Sequence, residues 1–168
     1  MGFTFENITS IVLVILTGLS AGLCFTWANA ITPGIGRMDD LGFLSAFKNM
    51  NRTIINPVFV IVFFGPFFLS LLNLYAFKNT SKLVIGLLIV AALCYIIGVV
   101  LVTIFGNVPL NNILDKTNLS ALSHEDLKAL RATFEDTWNR LHLIRTYSAI
   151  ASFILLIISL VQVTKNNL

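Results

Sequence analysis

Residues 138–163 read WNRLHLIRTYSAIASFILLIISLVQV, and this stretch indicates both the fold class and the place of a site. From residue 143 onward it is mostly apolar over about 20 residues, which is enough for a helix to cross a hydrocarbon core about 30 Å thick. Its beginning contains side chains that a simple membrane anchor does not require: Trp138, Asn139, Arg140, His142 and Arg145. The stretch therefore predicts a membrane-spanning helix with a polar cluster at one end.

The composition of the whole chain agrees with a membrane protein. Of its 168 residues, 57% are hydrophobic and 11% are charged, whereas a soluble domain carries roughly 25% charged residues. The net charge of +3 is small and its basic residues are scattered, which argues against a nucleic-acid partner. Cys24 and Cys94 lie in apolar runs without a CxxC motif. We interpret both as small buried hydrophobic residues and expect no metal site.

Three further apolar runs are long enough to cross a membrane. The four candidate spans are residues 8–31, 57–77, 83–105 and 143–163. Ser123 and Asp126 resemble a capping box, and the helical pattern that follows has no stop signal before the fourth span. The predicted fold is therefore all-α, a four-helix transmembrane bundle whose fourth span is extended by an amphipathic helix outside the membrane. We expect residues 1–168 to form a single integral membrane domain.

The membrane orientation rests on few charges. The side with the termini carries Lys78, Lys82 and Lys165 in short segments, whereas basic residues on the other side are spread over longer segments and balanced by acids. The positive-inside rule counts basic residues close to the spans and is ambiguous here. We place the multi-pass protein in a bacterial inner membrane with both termini in the cytoplasm.

Three polar clusters lie where the longer segments meet the membrane, all on the same side. They are Asn49, Asn51, Arg52 and Asn56; then Asn107, Pro109 and Asn111; and then Trp138, Asn139, His142 and Arg145. On a helix Trp138, His142 and Arg145 share one face, and Asn139 borders it. Polar side chains at membrane depth usually turn inward, which predicts a pocket inside the bundle. The alternative is structural, with Trp138 and Arg145 as anchors in the headgroup layer and asparagines as helix caps.

Three motifs follow one another between the apolar spans. They are FKNMNRTIINPVF at 47–59, FGNVPLNNIL at 105–114 and WNRLHLIRT at 138–146. In this order the chain resembles the anthrone oxygenase-like membrane family over roughly residues 18–159. The resemblance implies a four-helix membrane bundle and, for some fungal members, oxidation of anthrones to anthraquinones without metal or flavin. It implies functional positions at Asn51, Asn107, Pro109, Asn111, Trp138, Asn139, His142 and Arg145.

The chemistry of these side chains suits such a reaction. An anthrone has a weakly acidic methylene group, and a neutral imidazole such as His142 is the best candidate base. Arg145 and Asn139 are the other predicted catalytic residues, because they stabilise developing negative charge in a dry site. The predicted substrate-binding residues are Trp138, by stacking on a planar ring, together with Asn51, Asn107 and Asn111. We expect neither a metal nor another cofactor.

A second hypothesis is a non-catalytic membrane protein, so the sequence leaves open whether the chain is an enzyme. The same polar face would then bind a lipid, a quinone or a partner subunit, which includes a second copy of the chain. Haem is disfavoured, because embedded haem usually takes two axial ligands and only His142 lies near a span. The expected partners are therefore the lipid bilayer and a hydrophobic small molecule.

Overall fold

The computed structural model describes the backbone of residues 4–166 and the side chains of residues 4–164, and every regular element in that part is helical. The α-helices are α1 (Phe5–Thr26), α2 (Thr32–Ile35), α3 (Asp40–Ile54), α4 (Pro57–Ala76), α5 (Lys82–Tyr95), α6 (Val108–Lys116) and α7 (His124–Asn166). Three π-helical segments interrupt them, π1 (Trp27–Ile31), π2 (Ile96–Leu101) and π3 (Thr103–Asn107), and Leu119–Ala121 is a 3₁₀ turn. The side chain of Lys165, used in the orientation argument, lies outside the described residues.

Four stretches of helix are long and apolar enough to cross a membrane. They are Phe5–Ile35, Pro57–Ala76, Lys82–Lys116 and His124–Thr164. The helices pack in a ring in which α1 contacts α4 and α7, and α5 contacts α4 and α7. The predicted all-α bundle with four spans is thus confirmed, and the extent of the domain over residues 1–168 stays a prediction.

Helix starts follow from capping side chains in the sequence. The Asn56 side chain accepts a 3.0 Å hydrogen bond from the Phe59 amide, and Pro57 occupies the first turn of α4, where no amide donor is needed. At α7 the Ser123 hydroxyl accepts from the Asp126 amide at 3.2 Å, and Asp126 Oδ2 accepts from the Ser123 amide at 3.3 Å. This is the predicted capping box. Because α7 then continues unbroken to its end, the extended fourth span is also confirmed.

A polar cap formed by α3, α6 and the first part of α7 closes one end of the bundle. Its apolar core contains Phe43, Phe47, Leu114 and Phe134, all buried. Arg131 of α7 fastens the bend before α3, since it donates to the carbonyls of Gly36 and Met38 at 2.7 and 2.8 Å. It also pairs with Asp40 at 3.1 Å and Glu135 at 2.7 Å. These contacts from α7 hold α3 over the end of the spans, where the predicted polar clusters lie.

Candidate functional site

A cavity of about 110 Å³ lies where the polar cap meets the four spans. Its apolar lining includes Leu23, Trp27, Ile54, Phe59, Phe63 and Val108. Its polar lining comprises Cys24, Asn51, Thr103, Asn111, His142 and Arg145, and Trp138 completes the wall. The cavity therefore combines a mainly aromatic and aliphatic surface with a few polar groups, as small-molecule sites usually do.

His142 is held by two hydrogen bonds that fix its proton. Its Nδ1 lies 2.6 Å from Arg145 Nη2, and its Nε2 lies 2.9 Å from the Cys24 carbonyl oxygen. A guanidinium only donates and a carbonyl only accepts, so Nδ1 must accept and Nε2 must carry the hydrogen. His142, only 3% exposed, is therefore a neutral imidazole whose one lone pair faces Arg145.

Arg145 is a buried cation, and no acidic residue in the described part of the chain pairs with it. It is 7% exposed, and its Nη1 donates to Thr103 Oγ1 at 3.2 Å, which in turn donates to the Val99 carbonyl at 2.7 Å. Among the described residues, no Asp or Glu oxygen lies within 4.0 Å of its guanidinium. Its Nε has no hydrogen-bond partner there either. Within residues 4–164, the positive charge is thus compensated by neutral groups alone.

Trp138 forms the floor beneath this pair. Its ring stacks on the His142 ring with centroids 4.7 Å apart and an interplanar angle of 13°, and the guanidinium carbon of Arg145 lies 5.2 Å from its centroid. Its indole nitrogen donates to Asn111 Oδ1 at 2.9 Å. Because Trp138 is only 3% exposed, the interpretation of this residue as a headgroup anchor is wrong.

The predicted site residues are only partly brought together. The cavity is lined by His142, Arg145, Trp138, Asn51 and Asn111. Asn107 is buried behind the wall, where its Nδ2 donates to the Trp138 carbonyl at 3.3 Å. Asn139 is half-buried and is not part of the cavity lining. The proposed catalytic role of Asn139 therefore has no geometric support, and Asn107 supports the position of Trp138.

The first span also contributes to the cavity wall. Cys24 accepts the His142 bond through its backbone, and Trp27 lines the cavity with its ring 5.6 Å from that of Trp138. The π1 segment begins at Trp27, and π-helical segments are frequent at functional sites because they alter the usual backbone pairing. The signal available in the sequence was Trp27, one of only two tryptophans in the chain.

The rim of the cavity is apolar and exposed. Ile55 lies in the bend between α3 and α4 and is 73% exposed, and Val108 at the start of α6 is 39% exposed. Both also line the cavity. The cavity therefore opens beside exposed apolar side chains.

The fold and the site together define a multi-pass helical membrane protein with a half-enclosed aromatic cavity that holds a histidine–arginine pair. The sequence model of the family described as anthrone oxygenase matches residues 56–155. This match covers more than half of the chain, and the protein therefore belongs to the anthrone oxygenase family. The matched residues include Asn111, Trp138, His142 and Arg145. They do not include Asn51 or the α1 residues that line the cavity. No curated protein and no solved structure matches the chain.

Proposed function

We propose that this protein is a membrane-embedded oxygenase that converts a planar aromatic ketone of the anthrone type into the corresponding quinone. The observation that carries the proposal is the hydrogen-bonded pair of neutral His142 and Arg145 inside an aromatic-lined cavity, where Arg145 has no carboxylate partner among the described residues. Family membership supports the same reaction class. The substrate reaches the cavity from the lipid phase across the apolar rim at Ile55 and Val108.

The reaction needs a base and dioxygen. His142 removes one proton from the acidic methylene group, and the resulting carbanion adds to dioxygen to give a peroxide. Protonation of the peroxide and loss of water leave a carbonyl at the former methylene carbon. One anthrone and one O₂ thus give one anthraquinone and one water, and all electrons come from the substrate. No further oxidant enters this balance.

The base function sets a requirement on Arg145. Arg145 Nη2 occupies the Nδ1 lone pair of His142 at 2.6 Å. Arg145 must therefore turn from the imidazole towards the substrate oxygen before Nδ1 accepts a proton. A substrate anion between His142 and Arg145 favours this movement of Arg145. Once His142 has accepted the proton, the two residues are adjacent cations, which repel each other in a dry site unless a negative charge compensates them. The Cys24 carbonyl continues to accept from Nε2 and keeps the ring in place.

The walls orient a planar body. Trp138 and Trp27 line the cavity with large aromatic rings suited to a planar substrate, and the hydrogen bond that the Trp138 indole donates to Asn111 holds the Trp138 ring. An apolar cavity of about 150 Å³ accommodates benzene, so this cavity of about 110 Å³ encloses only part of a three-ring substrate. The remainder of a three-ring substrate extends through the rim towards lipid.

The test is oxygen uptake and anthraquinone formation with anthrone and the purified protein in lipid nanodiscs. We expect equal amounts of oxygen consumed and quinone formed, and a loss of about 10²–10⁴-fold in rate for His142→Gln, the usual contribution of a positioned base. His124→Gln is the matched control, since His124 is exposed at the start of α7. Equal rates for wild type and His142→Gln, or rates no higher than autoxidation, would overturn the proposal.

A non-catalytic quinone-binding protein is the second candidate function. It is favoured by the unpaired Arg145 Nε, which suits a quinone oxygen as well as an enolate. Mass spectrometry of the purified protein distinguishes the two. A quinone that remains bound to wild type, is lost in Arg145→Lys and accompanies no anthrone turnover supports binding alone.

The location in a bacterial inner membrane with cytoplasmic termini is likewise proposed. Lys78 lies in the short α4–α5 turn and Lys82 begins α5, both on the side of the termini, and the positive-inside rule counts basic residues this close to the spans. Reporter fusions at the α4–α5 turn and after residue 168 test the orientation. Activity of a periplasm-specific reporter at either position would contradict it.

A further inference from the structure

We infer that the cavity selects ligands that carry an acceptor oxygen, which binds the two unpaired donors Asn51 Nδ2 and Arg145 Nε. This inference rests on the proposed function and names the chemical group that the site recognises. The ligand class is a planar aromatic ketone or the enolate and phenolate forms derived from it. A hydrocarbon of the same shape lacks the recognised group.

The first step concerns unpaired donors. Asn51 Nδ2 and Arg145 Nε are buried and have no hydrogen-bond partner among the described residues, and both side chains line the cavity. Asn51 belongs to α3 and Arg145 to α7, so the two donors come from different walls. A buried donor without a partner destabilises a protein. Both donors are therefore left for an oxygen that the chain itself does not supply.

The second step concerns charge. Arg131, also on α7, has Asp40 and Glu135 within 3.1 Å and two carbonyls as acceptors. Arg145 is buried still more deeply and has no carboxylate near it in the described part of the chain. A buried cation without a counter-ion is costly and favours a ligand that supplies negative charge or a strong dipole.

The third step joins the donors to the reaction. When an anthrone loses its methylene proton, the negative charge moves onto the ketone oxygen. Donors that already bind the neutral ketone then bind the anion more strongly, which lowers the barrier to proton removal. Asn51 and Arg145 therefore determine specificity for the ketone and also stabilise the anion.

Binding of 9-fluorenone and of fluorene to the purified protein in nanodiscs tests the inference. The two molecules share one planar skeleton, and fluorene has a CH₂ group in place of the carbonyl. Quenching of intrinsic fluorescence reports on this site directly, because the only two tryptophans, Trp27 and Trp138, both line the cavity. We expect wild type to prefer fluorenone by about tenfold or more, the factor that a hydrogen bond to a charged donor supplies.

The variants separate recognition from general packing. Asn51→Leu keeps the approximate size of the side chain without a donor, and Arg145→Lys keeps the charge without Nε. We expect each to reduce the preference for fluorenone by about three- to tenfold, roughly one neutral hydrogen bond. Asn49→Leu is the matched control, since Asn49 is exposed on the same helix and should leave the preference unchanged. An unaltered tryptophan emission maximum confirms that a variant is folded.

The outcomes separate this inference from the oxygenase proposal. Equal affinity of wild type for fluorenone and fluorene overturns the inference, whether or not anthrone is oxidised. The inference is also overturned if Asn51→Leu, Arg145→Lys and Asn49→Leu all show the same preference for fluorenone over fluorene. A clear ketone preference that is lost in Asn51→Leu supports it even if no oxygen is consumed, and in that case the oxygenase proposal alone fails.

Discussion

The Nε2 of His142 lies 2.9 Å from the carbonyl oxygen of Cys24, a contact between residues 118 positions apart that joins the fourth span to the first. Because the acceptor is a backbone carbonyl, it fixes the Nε2–H tautomer of His142 and directs Nδ1 towards Arg145. The direction of His142 Nδ1 is therefore determined by the course of α1 just before its π1 segment.

Cys24→Ala should consequently retain function. The carbonyl of residue 24 remains, and the loss of one buried sulfur should lower stability by roughly 1 kcal/mol. We expect anthrone turnover within about threefold of wild type, measured by oxygen uptake, and a slightly lower thermal unfolding midpoint. A rate as low as that of His142→Gln would instead show that the thiol takes part in the chemistry.

The hydrogen bond between Trp138 and Asn111 should stabilise the floor of the cavity. The indole N–H donates to Asn111 Oδ1 at 2.9 Å, and such a bond contributes about 0.5–1.5 kcal/mol. We expect Trp138→Phe and Asn111→Leu each to lower stability. In a double-mutant cycle, the second substitution should cost about 1 kcal/mol less once the first is present, as measured by denaturation in detergent. Strictly additive effects would show that the bond contributes nothing.

Much of the cavity wall that α7 forms could be predicted from the sequence. The spacing of Trp138, His142 and Arg145 placed them on one helix face, and all three line the cavity. Helical spacing puts Asn139 at the border of that face, but successive residues on a helix point about 100° apart, and Asn139 is not part of the cavity lining. Whether it lined the pocket depended on the rotation of α7 against its neighbours, which no local pattern encodes.

Most of the opposite wall could not be predicted for a related reason. Cys24 acts through its carbonyl, so its residue type carries no signal, and the π1 segment beside it has no sequence signature of its own. Asn51 was found because the KNMNRTIIN motif marked it, but its unpaired donor emerges only from packing. Side-chain chemistry was thus readable from the sequence, whereas backbone chemistry was not.

Close packing of π2 against α7 gives a prediction about stability. A Cβ added to Gly98 would overlap the Ser148 side chain, so Gly98→Ala should force the helices apart and cost about 1–3 kcal/mol. Gly86 on α5 is the matched control, because an added Cβ there meets nothing within 4 Å. Gly86→Ala should be neutral or stabilising by up to about 1 kcal/mol. Thermal unfolding of the two variants measures the difference.

A second substitution identifies the cause of the Gly98 effect. Ser148→Gly removes the atoms that an added Cβ would meet, so the double variant should recover most of the stability lost by Gly98→Ala. If Ser148→Gly gave no recovery, the loss would have to arise from the backbone of π2 and not from contact between the helices.

Arg131 should control the order of the polar cap that holds Asn51 over the cavity. It binds the Gly36 and Met38 carbonyls at 2.7 and 2.8 Å, and its guanidinium carbon lies 4.5 Å from the Phe43 ring centroid. Arg131→Gln breaks these charged contacts at a partly exposed site, which should cost about 1–2 kcal/mol. Hydrogen–deuterium exchange should accelerate at residues 36–43.

The matched control for this last substitution is Arg140→Gln. Arg140 lies on the same helix but is exposed, so its replacement should leave exchange in the bend before α3 unchanged. Because α3 carries Asn51, loosening of the cap by Arg131→Gln should also weaken binding of 9-fluorenone while binding of fluorene changes less. Faster exchange confined to the first turns of α7 would show that Arg131 stabilises only its own helix and does not position the cavity wall.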